Sequence, residues 1–182
     1  MNSANNGPGT DLSGKNRGSA WFDQVKGDLC VELSQALGTS VTDIQSDYLP
    51  APHQNPKLKQ LNGVNMAAVY VFALSPNYGQ TCPAGPLRVL KVGSVGPGTP
   101  ARFTYQHYNG GADSTLVGSL LDNPFLWGYL GITGSPTLKD LGAWLLANTC
   151  RYHLFLPPVY EPRRSKIEVY IRGRLGPNFE GR

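Results

Sequence analysis

LKVGSVGPGTPARFTYQHY, residues 90–108, runs from an apolar strand into a glycine-proline loop and on towards a helix. The strand is expected over 87–92 and the helix from Pro100 or Ala101 to about Tyr108, where Asn109-Gly110-Gly111 ends it. Between them, 93–100 holds three glycines and two prolines, a loop whose backbone can approach a ligand or another chain closely. Upstream, Ala67–Leu74 (AAVYVFAL) reads as a second strand on which Val69 and Val71 face away from Tyr70. The turn-rich connection over 75–86 makes these two runs an antiparallel hairpin most simply. Paired so, they bring the Tyr70 phenol, the Lys91 ammonium and the Arg102 guanidinium to one sheet edge.

Working outward, helical apolar spacing recurs at 114–121 (STLVGSLL) and 137–147 (TLKDLGAWLLA), and CRYHLFL at 150–156 alternates as a third strand should. A last helix is expected over 162–175, with Ile167, Tyr170 and Ile171 inward, Arg164, Glu168 and Arg172 at successive i+4 steps, and Gly176-Pro177 as its stop. Towards the start, Ser19 suits an N-cap, and Trp21, Phe22, Val25, Leu29, Leu33 and Leu37 share one helical face before Gly38. Asp23, Asp28 and Glu32 make that helix a poor DNA surface, so it is read as a packing or partner-binding element. Thr42–Gln45 reads as a short second turn, and 49–56, with three prolines, as a linker. The expected organisation is a disordered tail over 1–18, a helical extension and linker over 19–56, and a compact domain over 57–182.

With 182 residues, 40% hydrophobic, 15% charged, 22 glycines and 15 prolines, the composition describes one loop-rich soluble domain rather than a disordered or coiled-coil chain. No apolar run reaches membrane-spanning length, and the N-terminal 20 residues lack the apolar core of a signal peptide, so a cytoplasmic, non-membrane protein is expected. Cys30, Cys82 and Cys150 are odd in number with no C-x-x-C spacing, which signals neither a disulfide framework nor a zinc site. Charge is asymmetric: residues 1–50 carry three basic and six acidic side chains, and 51–182 carry thirteen and six. The second part thus has the signature of a phosphate-bearing partner or of a basic solvated surface.

In order, then, stand a strand with Tyr70, a strand ending Lys91-Val92-Gly93, Arg102, a third strand, and a helix with Glu168 followed by Asn178. From about residue 65 to the end this order resembles the GIY-YIG nuclease family. Ala68-Val69-Tyr70 stands at the first triplet and Lys91-Val92-Gly93 at the second, where lysine replaces tyrosine as in the K-I-G variant branch. Arg102, nine residues past Gly93, matches the family arginine, and Glu168 with the trailing segment to Asn178 resembles the metal-binding glutamate and its L-x-P ending. The resemblance implies an α+β domain, a three-stranded antiparallel sheet flanked by helices, here with the N-terminal helical extension. It also implies a divalent-metal-dependent endonuclease hydrolysing phosphodiester bonds of duplex DNA.

The side chains carry chemistry that suits this implication. Cleavage needs an activated water, charge on the phosphate and support for the leaving oxygen. A free phenol is mostly protonated at neutral pH, with a pKa of about 10, and a cation at Lys91 favours the phenolate that would make Tyr70 a general base. Arg102 would clamp the phosphate as a bidentate donor, and Glu168 would hold one Mg²⁺, or Mn²⁺, among waters. The position one turn after the arginine is Gln106, flanked by Tyr105 and His107; any of the three can assist the nucleophile, and imidazole favours His107. Gly93 and Asn178 are supporting positions, while Arg163, Arg164, Lys166, Arg172, Arg174 and Arg182 would contact backbone phosphates. His53 and His153 read as structural. The competing class is a catalytically weak DNA-binding or interaction module that keeps the fold, with helix 20–37 docking a protein partner. For the nuclease, a site that cuts one strand at a time makes a homodimer the expected route to double-strand cleavage. A small-molecule enzyme is disfavoured because residues 93–98 lack the spacing and lysine of a P-loop.

Overall fold

A computed structural model describes residues 14–38, 40–42, 44–52, 66–75, 78, 89–98, 106–110 and 115–179. In chain order its elements are α1 (Gly14–Leu37), β1 (Gln45–Leu49), β2 (Ala67–Leu74), β3 (Val89–Val95), α2 (His107–Asn109), α3 (Leu116–Leu121), α4 (Leu138–Asn148), β4 (Thr149–Leu156) and α5 (Arg164–Leu175). Short 3₁₀ turns at Pro124–Leu126 and Pro158–Arg163 link the later elements. The class is α+β.

The strands form one antiparallel sheet in the order β1-β4-β2-β3. This corrects the three-stranded expectation: Gln45–Leu49, read as part of a turn and linker, is a fourth strand along the outer side of β4, from Gln45 opposite Phe155 to Leu49 opposite Arg151. Its sequence, QSDYL, is short and polar because an edge strand buries little. Stacking of Tyr48 on Tyr152, ring centroids 4.8 Å apart, supplies its main apolar contact.

All eight residues of β2 are buried, as a continuous apolar run in a central strand should be. One sheet face, carrying Val69, Val71, Val92, Tyr152 and Leu154, packs on Phe22 and Leu29 of α1 and on Ile167 and Ile171 of α5. The opposite face, carrying Ala68, Tyr70, Phe72, Val95 and Phe155, packs on Tyr108, Leu116, Leu120, Leu141 and Leu145 of α2, α3 and α4. The sheet is therefore the middle of three layers.

Helix α1 begins at Gly14, ahead of the expected Ser19 cap and inside the stretch assigned to a tail; residues 1–13 lie outside the described set. It stops at Gly38, whose φ of 65° is left-handed and suits glycine. Its apolar stripe is buried on the sheet, and two of its acidic side chains turn to α5: Arg174 donates to Asp28, and the Tyr170 hydroxyl to Glu32 at 2.8 Å.

Strand β3 continues to Val95, so Gly93 is a strand residue rather than the first residue of a loop. Of the helix expected over 101–108, residues 99–105 lie outside the described set; the chain reappears at Gln106, and Gly110, at φ 68°, ends α2. Cys30 and Cys150 are free thiols, and Cys82 lies outside. Among the described residues no helix is long and apolar enough to cross a membrane.

Candidate active site

Tyr70 lies in the middle of β2, opposite Gly93 of β3 and His153 of β4, and is 1% exposed. Its ring passes directly over Gly93: a Cβ there would collide with the phenol hydroxyl and ring. The glycine is thus required by close approach, which explains why a strand interior carries the residue that weakens strands.

His107, also 1% exposed, closes over the phenol from α2, with Nε2 2.7 Å from the Tyr70 hydroxyl. The other ring nitrogen, Nδ1, accepts the Leu116 backbone N–H at 3.1 Å. That amide begins α3, where no carbonyl of the helix itself is available to it. A backbone N–H only donates, so Nδ1 carries no proton and the neutral ring carries it on Nε2. His107 therefore donates to the Tyr70 oxygen rather than taking its proton. Phe72 stands edge-on to the imidazole, with centroids 5.1 Å apart, and fixes the ring from a third side.

Lys91 is only 3% exposed and lies opposite Phe72, on the same sheet face as Tyr70 and diagonal to it across β2 and β3. Four predicted residues, Tyr70, Lys91, Gly93 and His107, thus share one buried face. Arg102 and Tyr105 lie outside the described residues, and Gln106 precedes α2 at its half-buried start.

Glu168 stands elsewhere. Its Oε2 accepts the Ser94 hydroxyl at 2.5 Å, and its Oε1 is ion-paired with Arg172. Ser94 is opposite Val69, on the α1 and α5 side, so Glu168 and Tyr70 lie on opposite faces of the sheet with β3 between them. Beside them, the Arg164 guanidinium fills the space a Cβ on Gly96 would need, with Nη1 2.5 Å from that position, and pairs with Glu161 at 3.2 Å. Asn178 is exposed; its N–H and that of Phe179 bond the Val89 and Leu90 carbonyls at 3.1 and 2.8 Å, covering the first part of β3's outer edge.

Of the basic residues expected to meet phosphates, Arg163 and Lys166 are exposed, Arg164, Arg172 and Arg174 are engaged with Glu161, Glu168 and Asp28, and Arg182 lies outside the described set. Among the described residues no group of three or more His, Cys, Asp and Glu could hold a metal ion.

Two members of the Tyr70 face were not anticipated. Arg151 and His153 of β4 are fully buried opposite Phe72 and Tyr70. Arg151 donates to the Tyr108 hydroxyl at 3.2 Å and to His153 Nε2 at 3.1 Å, and its guanidinium lies 4.9 Å above the Phe72 ring. Burial pushes the Tyr108 phenol pKa up, with the Arg151 charge pulling against it. The available signal was the alternation of CRYHLFL, which aligns Arg151, His153 and Phe155 on one face. Comparison with known protein families, with curated proteins and with solved structures returns no match.

Proposed function

We propose that this chain is a metal-dependent endonuclease hydrolysing phosphodiester bonds of duplex DNA. The observation that carries the reading is the Tyr70 oxygen, held by a donating His107 over a strand glycine, on a face that also carries Lys91. Such a setting favours negative charge on the phenol oxygen, and a phenolate is a base able to take a proton from water. Arg102 is assigned to the phosphate.

Glu168 is assigned to a single Mg²⁺ or Mn²⁺. The fit is that of one hard carboxylate, its Oε2 oriented by the Ser94 hydroxyl and its Oε1 shared with Arg172, with the remaining positions left to water. Once bound, the ion supplies charge stabilisation at the leaving 3′ oxygen. Because Glu168 and Tyr70 flank β3 from opposite faces, the scissile backbone would pass its edge near Gly93 and Gly96, which carry no side chains.

A second reading, the catalytically weak DNA-binding or interaction module, is favoured by one observation: Tyr70 and His107 are each 1% exposed. Supercoiled plasmid with Mg²⁺ or Mn²⁺ separates the two. Nicking or linearisation, lost in Glu168→Ala and Arg102→Ala, supports the nuclease; intact plasmid with a retarded gel band supports the binder.

A further inference from the structure

We propose that Arg151 is a second positioning residue of the Tyr70 site, a buried cation that favours negative charge on the phenol oxygen from the β4 side as Lys91 does from β3. The sheet register carries the argument. Across the three strands, one row reads Lys91, Phe72, Arg151 and the next reads Gly93, Tyr70, His153. Tyr70 is therefore flanked diagonally by two basic side chains, one on each neighbouring strand.

The groups facing Tyr70 from the described elements packed against it are Lys91 of β3, Arg151 and His153 of β4, and His107 and Tyr108 of α2. None of these is a carboxylate. Arginine only donates, so His153 Nε2, at 3.1 Å, accepts from it and the neutral His153 ring carries its proton on Nδ1. His153 thereby stays a neutral spacer beside Tyr70, and the charge is set back by one diagonal step. The Tyr108 hydroxyl and the Phe72 ring hold the guanidinium in that position.

Burial alone would push the Tyr70 phenol towards its neutral form. A buried unit charge within about 10 Å, in an effective dielectric of about 20, is worth on the order of one pKa unit in the other direction. The ionisation effect stands by itself; only its use in cleavage rests on the nuclease reading.

The experiment is a titration of ¹³Cζ-tyrosine-labelled protein by NMR, with Tyr70 assigned by the signal missing from Tyr70→Phe, run alongside plasmid nicking. Tyr70 is expected to titrate below the ordinary value of about 10, and Arg151→Gln to raise it by about one unit while Arg151→Lys restores it. Titration of wild-type Tyr70 at or above the ordinary value overturns the proposal, as does an unchanged titration in a folded Arg151→Gln. Should Arg151→Gln fail to fold, the double variant Lys91→Met, Arg102→Gln removes the other two cations assigned to the site: Tyr70 still titrating below the ordinary value supports the proposal, and a return to or above it overturns it. A lowered Tyr70 titration in a protein that does not nick DNA would count against the nuclease reading and leave Arg151's role intact.

Discussion

At Gly93 a single missing side chain decides what the site can be. The Tyr70 ring occupies the volume that any Cβ would take, so Gly93→Ala must push the phenol away from His107 Nε2 or spread β2 from β3. Overpacking of this kind costs about 1–3 kcal/mol, and the variant is expected to unfold at correspondingly lower denaturant and to lose the Tyr70–His107 bond. Denaturant melts, with the His107 ring ¹⁵N shifts as a second readout, check both; an unchanged melt with unchanged shifts would remove the close-approach argument. Residue identity also explains what the sequence hid. A buried arginine in an apolar strand contradicts the usual pattern, and the partners of Arg151, Tyr108 and Phe72, lie far back along the chain. Only the sheet register brings them together.

Among the elements, α2 is too short to hold itself in place and depends on the helix behind it. Gly142 of α4 lies so close to the Tyr108 carbonyl that a Cβ would collide with backbone. Gly142→Ala therefore has no flexible side chain to displace and is expected to destabilise the fold by about 1–3 kcal/mol while shifting His107. The check is a denaturant midpoint together with the His107 ring signals; a neutral or stabilising effect, as helix propensity alone would give, would contradict the contact. Legibility differs between elements for physical reasons. β2 was readable to the residue because a run of eight apolar side chains, short for a helix, rich in valine and aromatics and followed by a turn-rich stretch, suits a strand buried on both faces. β1 was not, since QSDYL has no strand pattern of its own and is held by the open edge of β4. β3 ran past its expected end because a glycine that reads locally as a loop signal is needed there by a tyrosine on the next strand.

Over the whole molecule, the charge asymmetry of the sequence has a partial structural counterpart: acidic side chains of α1 meet Arg174 and Tyr170 of α5. Buried phenols give the fold a pH limit on one side. Burial pushes both Tyr108 and Tyr152 up from the ordinary tyrosine value. The native state therefore keeps protons that the unfolded chain releases, so this stability is intact below the unfolded value of about 10 and declines as pH rises above it. The loss approaches 1.4 kcal/mol per pH unit for each such tyrosine, and urea midpoints of Tyr70→Phe, which lacks the opposite contribution of a lowered Tyr70, are expected to stay flat from pH 8 and then fall steeply towards pH 11.5. A flat profile throughout would contradict the buried placement of these phenols. The resemblance to a nuclease was legible only as an order of residues; that order does not reveal that Glu168 and Tyr70 flank β3 from opposite faces. Cleavage of end-labelled duplex DNA by wild type and Tyr70→Phe in Mg²⁺, with binding followed on the same samples, tests the central claim most directly. The account predicts cleavage by wild type and a loss of about 10²–10⁴-fold in Tyr70→Phe with binding retained; equal cleavage by the two proteins, or none by wild type despite binding, would contradict it.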